Sequence, residues 1–143
     1  MALTGINVFE TRQYVSKKDP DKQNPTVFEI GVLTSDIRSY IENKVQSYEF
    51  ARDGGNKGPA TARLNLTLRN MLVCKFGIKK ITNLIDPQTQ KPVEFDTTSI
   101  PISGKNYNGV SDALLEMLGP DLRLELATEI MGENNLSEDE IKN

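Results

Sequence analysis

The apolar residues of this chain change their spacing near residue 34, and that change limits the folds open to it. Before it they alternate: Phe28, Ile30 and Val32 interleave with Val27, Glu29, Gly31 and Leu33. That is the period of a half-buried strand, with the first three side chains turned to the core. After it, Ile37, Tyr40, Ile41, Val45 and Tyr48 recur every third or fourth residue, the stripe of an amphipathic helix, and Thr34 or Ser35 stands where an N-cap belongs. Residues 7–15 are also rich in β-branched and aromatic side chains. Between the two strand-like stretches, residues 17–25 are dense in turn formers, so the start of the chain reads as a long-looped β-hairpin.

Residues 51–60 hold three glycines and a proline with scarcely an apolar side chain, the composition of an exposed loop that orders on association. Residues 61–76 fit two periods. Leu64, Leu66 and Leu68 alternate as a strand would, while Leu64, Leu68, Met71, Leu72 and Phe76 share a helical face; the length of the run and the Gly77 that follows favour a helix. Residues 81–85 and 91–95 flank the turn-forming Asp86-Pro87-Gln88-Thr89-Gln90 and predict a second hairpin, whereas residues 97–108 read as irregular. Ser111 caps a short helix carrying Leu114, Met117 and Leu118, and Gly119 breaks it ahead of Pro120, which opens the next helix. Leu122, Leu124, Leu126, Ala127, Ile130 and Met131 cover more than half of that helix, Gly132 is its expected stop, and Ser137 with Glu140 forms a capping box beyond. The expectation is a predominantly helical α+β single domain with two small β-hairpins: a compact body over 1–132 and an acidic tail over 133–143 with a short capped helical turn.

Composition narrows the chemistry. The 143 residues include no histidine, no tryptophan and one cysteine, so the side chains behind most general-base, nucleophilic and zinc chemistry are absent or lack partners. Cys74 follows Met71, Leu72 and Val73 and reads as a small core residue. Asp19, Asp21 and Asn24 lack the glycine and terminal glutamate of a calcium loop and read as a turn. Gly54, Gly55 and Gly58 surround Lys57, yet no Ser or Thr follows the lysine as a phosphate loop requires. The Asn65-Leu66-Thr67 sequon matters only in a secreted protein, and neither a signal peptide nor a membrane span is expected. The expectation is no enzyme activity and no catalytic, cofactor or metal site.

Charge is the feature that points outward. Residues 1–111 carry 15 basic and 11 acidic side chains, a net +4, and residues 112–143 carry 2 and 9, a net −7. Such asymmetry steers docking onto a charged partner or pairs with itself. From Gly54 through Ile85 no acidic residue interrupts Lys57, Arg63, Arg69, Lys75, Lys79 and Lys80, a stripe suited to phosphates. An acidic pI of about 5.1 and few aromatics weigh against nucleic acid. The expected partner surface is the glycine-rich loop with Asp53, Gly54, Gly55, Lys57 and Gly58, together with the C-terminal carboxylates Glu133, Glu138, Asp139 and Glu140.

Across residues 76–143, Phe76-Gly77-Ile78, Thr82-Asn83-Leu84, Lys91-Pro92-Val93-Glu94-Phe95, the helix from Leu124 through Ile130 and the closing Asn135-Leu136-Ser137-Glu138-Asp139-Glu140 with Lys142-Asn143 make up a pattern of their own. It resembles the small proteins encoded in tailed-bacteriophage structural gene clusters. The resemblance implies a non-enzymatic assembly protein, in first place a tail assembly chaperone holding the tape measure protein soluble while tube subunits polymerise, or a minor virion component. It also implies phage structural proteins as partners and residence in the host cytoplasm or the virion, with an oligomer left open. The rivals are an inhibitor of a host protein, which would present an acidic face, and a nucleic-acid-binding accessory factor using the basic stripe.

Overall fold

The structure, a computed structural model, describes all residues except Met1, Ile6, residues 54–58 and Asn143, and the side chains of residues 47–65 and 133–142 also lie outside the description. In chain order its elements are β1 (Thr11–Tyr14), β2 (Val27–Gly31), α1 (Ser35–Asp53), α2 (Pro59–Gly77), β3 (Ile78–Thr82), β4 (Thr97–Ile102), β5 (Lys105–Val110), α3 (Asp112–Leu118) and α4 (Pro120–Lys142). The expected predominantly helical domain with two small β-hairpins is overturned. Among the described residues there are four helices and five strands in two small sheets, a mixed α+β fold.

The difference has identifiable causes. β1 and β2 pair antiparallel, but β3 joins β2 on its other side, with Val27 opposite Thr82 and Phe28 opposite Ile81, so the first sheet has three strands in the order β1-β2-β3. The residues expected to open the second hairpin are thereby partly taken by a strand from the start of the chain. What remains of that hairpin is a single bridge between Ile85 and Pro92. Pro92 brings no N–H to a ladder, and Asn83 (φ 63°) and Gln90 (φ 61°) bend the chain sharply on either side. The stretch read as irregular forms instead the β4–β5 hairpin, in register from Thr97 opposite Val110 to Ile102 opposite Lys105. Ser103 (φ 51°) and Gly104 (φ 80°) make its two-residue turn, both in the left-handed region that such hairpin turns require.

Helix boundaries follow local chemistry. The Thr34 carbonyl accepts the Arg38 N–H at 2.9 Å, while the buried Thr34 hydroxyl makes no hydrogen bond among the described residues. Ser111 caps α3, its Oγ accepting the Leu114 N–H at 3.4 Å, and Gly119 at φ 81° turns the chain so that Pro120 begins α4. Gly132 is not a stop: it lies outside the left-handed region and α4 continues through it to Lys142.

The core gathers around α2, which lies against α1, α4 and β5. Val73, Cys74 and Phe76 of α2 belong to one buried cluster with Ile37, Ile41 and Val45 of α1, Phe28 and Ile30 of β2, Ile78 and Ile81 of β3, Leu114, Leu115 and Leu118 of α3, and Leu126, Ala127 and Ile130 of α4. Phe76 and Tyr40 meet edge to face with centroids 5.7 Å apart. Gly77 marks the closest approach: a Cβ there would stand 2.6 Å from Ile130 Cδ1 and 2.8 Å from Cγ2, on a side chain with no exposed surface. Gly77→Ala is therefore expected to destabilise by about 1–3 kcal/mol through overpacking. Ile130→Val, which deletes the nearest clashing carbon, should make the double variant less damaged than the sum of the singles, as read from urea midpoints. Additive midpoints would show that the backbone at Gly77 gives way instead.

Candidate functional site

Strand alternation turns Arg12 and Tyr14 to the same side, with Ser16 just beyond the strand, and on α4 Glu125 and Glu129 stand one turn apart facing them. Arg12 pairs with Glu129 at 2.9 Å. Glu125 receives three donors: the Tyr14 hydroxyl, Ser16 Oγ at 2.9 Å and the Lys17 backbone N–H at 3.1 Å. Ser16 Oγ in turn accepts the Lys18 N–H at 3.2 Å. Burial acts to raise the Glu125 pKa, but the hydrogen bonds from Tyr14, Ser16 and Lys17, with Lys18 nearby, outweigh it and hold the carboxyl below its ordinary value. Burial first, then the bond to Glu125, raises the Tyr14 phenol above its usual value. A carboxylate held ionised by three donors, beside a phenol held neutral, is a structural clasp and a poor proton shuttle.

Just past this seam lies a cleft of about 390 Å³. Phe28, Leu84, Leu118, Pro120 and Leu122 supply its apolar lining, and Ser16, Lys18, Asp19, Thr26 and Asp121 its polar edge. One side is the long loop of the first hairpin, which is internally braced. Asp19 accepts the N–H groups of Thr26 (2.8 Å) and Asp21 (2.9 Å), and Asp21 those of Gln23 (3.1 Å) and Asn24 (2.9 Å). These backbone bonds lower the Asp19 pKa. Thr26 Oγ1 donates to the Asn83 carbonyl at 2.9 Å and Asn83 Nδ2 to the Asn24 carbonyl at 2.8 Å, fastening the loop to the end of β3. The opposite wall is the α3–α4 corner. There the buried Arg123 donates to the Leu115 carbonyl in the last turn of α3, where helix carbonyls lack intrahelical partners.

Of the expected partner-binding residues, Gly54, Gly55, Lys57 and Gly58 lie outside the described residues. Asp53 ends α1, and Glu133, Glu138, Asp139 and Glu140 lie on α4, with all five side chains outside the description. Cys74 is fully buried, its Sγ donating to the Arg123 carbonyl at 3.3 Å, and burial pushes its thiol up to about 12. Three of the four described side chains of the basic stripe are engaged within the chain: Arg69 with Glu42 at 2.8 Å, Lys75 with Asp112 at 2.9 Å and the Val110 carbonyl at 3.1 Å, and Lys79 with the Phe76 carbonyl at 2.7 Å; the fourth, Lys80, is exposed on β3. Such engagement reduces what the stripe can offer phosphates. Among the described residues no three His, Cys, Asp or Glu side chains converge as metal ligands, and no helix is long and apolar enough to cross a membrane. Sequence reasoning missed Tyr14, Ser16, Lys18, Leu84 and Glu125 as site residues. The legible signal was the polar alternation at 12, 14 and 16, set against carboxylates four residues apart at 125 and 129.

The Glu125 clasp makes a pH-dependent forecast. A depressed carboxyl pKa adds stability that is present above the unfolded value of about 4.3 and is lost as pH falls through the folded value. Glu125→Gln, which mispairs at least one donor, is expected to cost about 1–3 kcal/mol at neutral pH. In urea titrations the gap to the parent protein should narrow below about pH 4. A gap that stays constant down to pH 2 would mean that the charge on Glu125 contributes nothing.

Compared with known proteins, the chain matches no family model, no curated protein and no solved structure.

Proposed function

We propose that this chain is a non-enzymatic assembly protein of the tail assembly chaperone kind, which holds a segment of a phage tail structural protein by seating its apolar side chains in the cleft beside α4. The carrying observation is the cleft itself: an apolar lining of Phe28, Leu84, Leu118, Pro120 and Leu122 inside a polar edge that the fold already braces. An apolar lining with a few fixed polar groups is how proteins take an apolar anchor and orient the chain attached to it. The titratable groups nearby support a binding role. Glu125 is occupied by three donors, and Cys74 is buried with its thiol pushed up, so neither is poised to react. Residues 53–58 and the carboxylates Glu133, Glu138, Asp139 and Glu140 would add a second, charge-based contact whose strength falls with salt. The reading places the protein in the host cytoplasm, or in the virion if it stays with the assembled tail.

Co-expression with the tape measure protein of the phage that carries this gene tests the reading. The parent chain should keep the tape measure protein soluble and co-purify with it. Leu122→Arg, a charge on a half-buried cleft residue, should weaken that capture by about tenfold or more while leaving the melting curve close to the parent's. Capture undiminished by Leu122→Arg would overturn the role given to the cleft, and a tape measure protein left insoluble beside the parent chain would overturn the chaperone reading.

A further inference from the structure

Strand β1 is held in place by few groups, and most of them are polar. It pairs with β2 along one edge, from Thr11 opposite Gly31 to Tyr14 opposite Phe28, and among the described residues no strand meets its other edge. Its side chains alternate. Thr11 and Gln13 are exposed, whereas Arg12 and Tyr14 reach α4, Arg12 at Glu129 and Tyr14 at Glu125. Tyr14 is the one buried side chain of the strand, and the described residues before β1 all lie on the surface, so none of them anchors it in the core.

This lightly held piece has a boundary. Ser16 Oγ and the Lys17 N–H still belong to the Glu125 clasp, whereas from Asp19 onward the loop is braced by its own Asp19 and Asp21 turns and fastened to the end of β3 through Thr26 and Asn83. Exposed Lys17 and Lys18 are the joint between the two. Residues 11–18 thus form a strap that can lift while the rest of the loop stays fixed, the kind of small unit that opens at a lower free energy than global unfolding. Lifting it leaves the outer edge of β2 without a partner strand and takes from Glu125 and Glu129 the donors that the strap supplies. An unpaired strand edge beside two carboxylates on one helix face is costly to leave empty, so the seat selects a replacement of the same chemistry.

We propose that the seat of β1 is a strand-accepting site, and that β1 occupies it as a built-in stand-in for an extended segment of a partner polypeptide. What the seat takes is written in β1 itself: backbone groups for the edge of β2, a cation for Glu129, two residues on a phenol for Glu125, and a further hydroxyl two residues beyond. The fitting partner segment is therefore extended, with a basic residue, a tyrosine and a serine or threonine at alternate positions. Glu125 and Glu129 give the site its preference for positive charge. Because Phe28 lies opposite Tyr14 and also lines the cleft, a strand in this seat runs on directly into the cleft. The inference rests on the assembly reading only for the source of the strand, a segment of the protein being held; displacement of β1 is a property of this chain alone.

Hydrogen exchange and peptide binding on the full chain test it. Amides bonded between β1 and β2 should be protected about a hundredfold less than those of residues 73–76 in the buried end of α2. The probe for the seat is a fluorescent peptide of this chain's own residues 7–18. Arg12→Ala in the chain loosens the strap while keeping both carboxylates, so that chain should bind the peptide about tenfold more tightly than the parent does. A peptide that itself carries Arg12→Ala should bind either chain more weakly by about tenfold. Ladder amides as well protected as α2, one affinity for the parent and the Arg12→Ala chain, or an affinity indifferent to the peptide's own arginine would each overturn the proposal. The exchange measurement and the comparison of the two peptides use the parent chain, so they decide the matter even where Arg12→Ala folds poorly. Failure here is separable from failure of the functional reading: if the tape measure protein is held and the peptide is not bound, only the strand-accepting site falls. If the peptide binds as expected while the tape measure protein is left insoluble, only the chaperone reading falls.

Discussion

The closeness of α2 and α4 is what the rest of the structure depends on. Two small residues on α2 permit it. Gly77 has no side chain and gives its place to Ile130, and Cys74 is small enough for its sulfur to reach the backbone of α4 at the Arg123 carbonyl, 3.3 Å away. The distance between packed helices is set by the side chains at their contact, so larger residues here would lift α4 outward. With α4 held in, Glu125 and Glu129 come within reach of β1, and the first turn of α4 stands beside Leu118 as the wall of the cleft. Arg123 then ties the same turn to α3 by satisfying a carbonyl that the short helix leaves unpaired. Clasp and cleft are both consequences of that one approach.

How much of this was legible in the sequence depended on how local its cause was. The switch of apolar period after Leu33 located β2 and α1, Ser111 and Gly119-Pro120 located α3 and the start of α4, and the alternation of Phe28 and Ile30 gave their burial. These signals are short in range. The pairing of β3 with β2 joins residues 48 to 55 positions apart, and Ile81 looks the same whether it pairs forward with residues 91–95 or back with β2. The β4–β5 hairpin was hidden for another reason. Pro101, Asn106, Asn108 and Gly109 are poor strand formers, and the turn at Ser103 and Gly104 decided the matter against their propensity. Gly132 misled in the opposite direction, because a glycine ends a helix only where it takes the left-handed conformation.

The site was less legible than the fold because none of its parts is unusual alone. Phe28, Leu84, Leu118 and Leu122 each read as ordinary core or boundary residues, and they come together only once β3 has joined β2 and the α3–α4 corner has closed over the loop of the first hairpin. Glu125 likewise reads as one carboxylate among several on an acidic helix. Its three donors come from residues 14–17, more than a hundred positions away.

The uneven charge of the chain acquires a physical meaning from the same contacts. Of the three described ion pairs, Arg12 with Glu129 and Lys75 with Asp112 join the basic first part to the acidic last part, and Arg69 with Glu42 lies within the first. The pairs Arg69–Glu42 and Lys75–Asp112 each have an exposed partner, as with Asp112 at 90%, and exposed pairs of this kind contribute little to stability, whereas Arg12–Glu129 is half-buried. Their use is in placement. Strand β1 is only four residues long, too short to hold its own register firmly through backbone pairing alone, and a slip by one residue would turn Tyr14 and Ser16 away from α4. Arg12 on Glu129 and the donors on Glu125 resist that slip by demanding two carboxylates at the spacing of one helical turn. The acidic face of α4 thus sets the register of the edge strand, and with it the end of β1 at which the cleft opens.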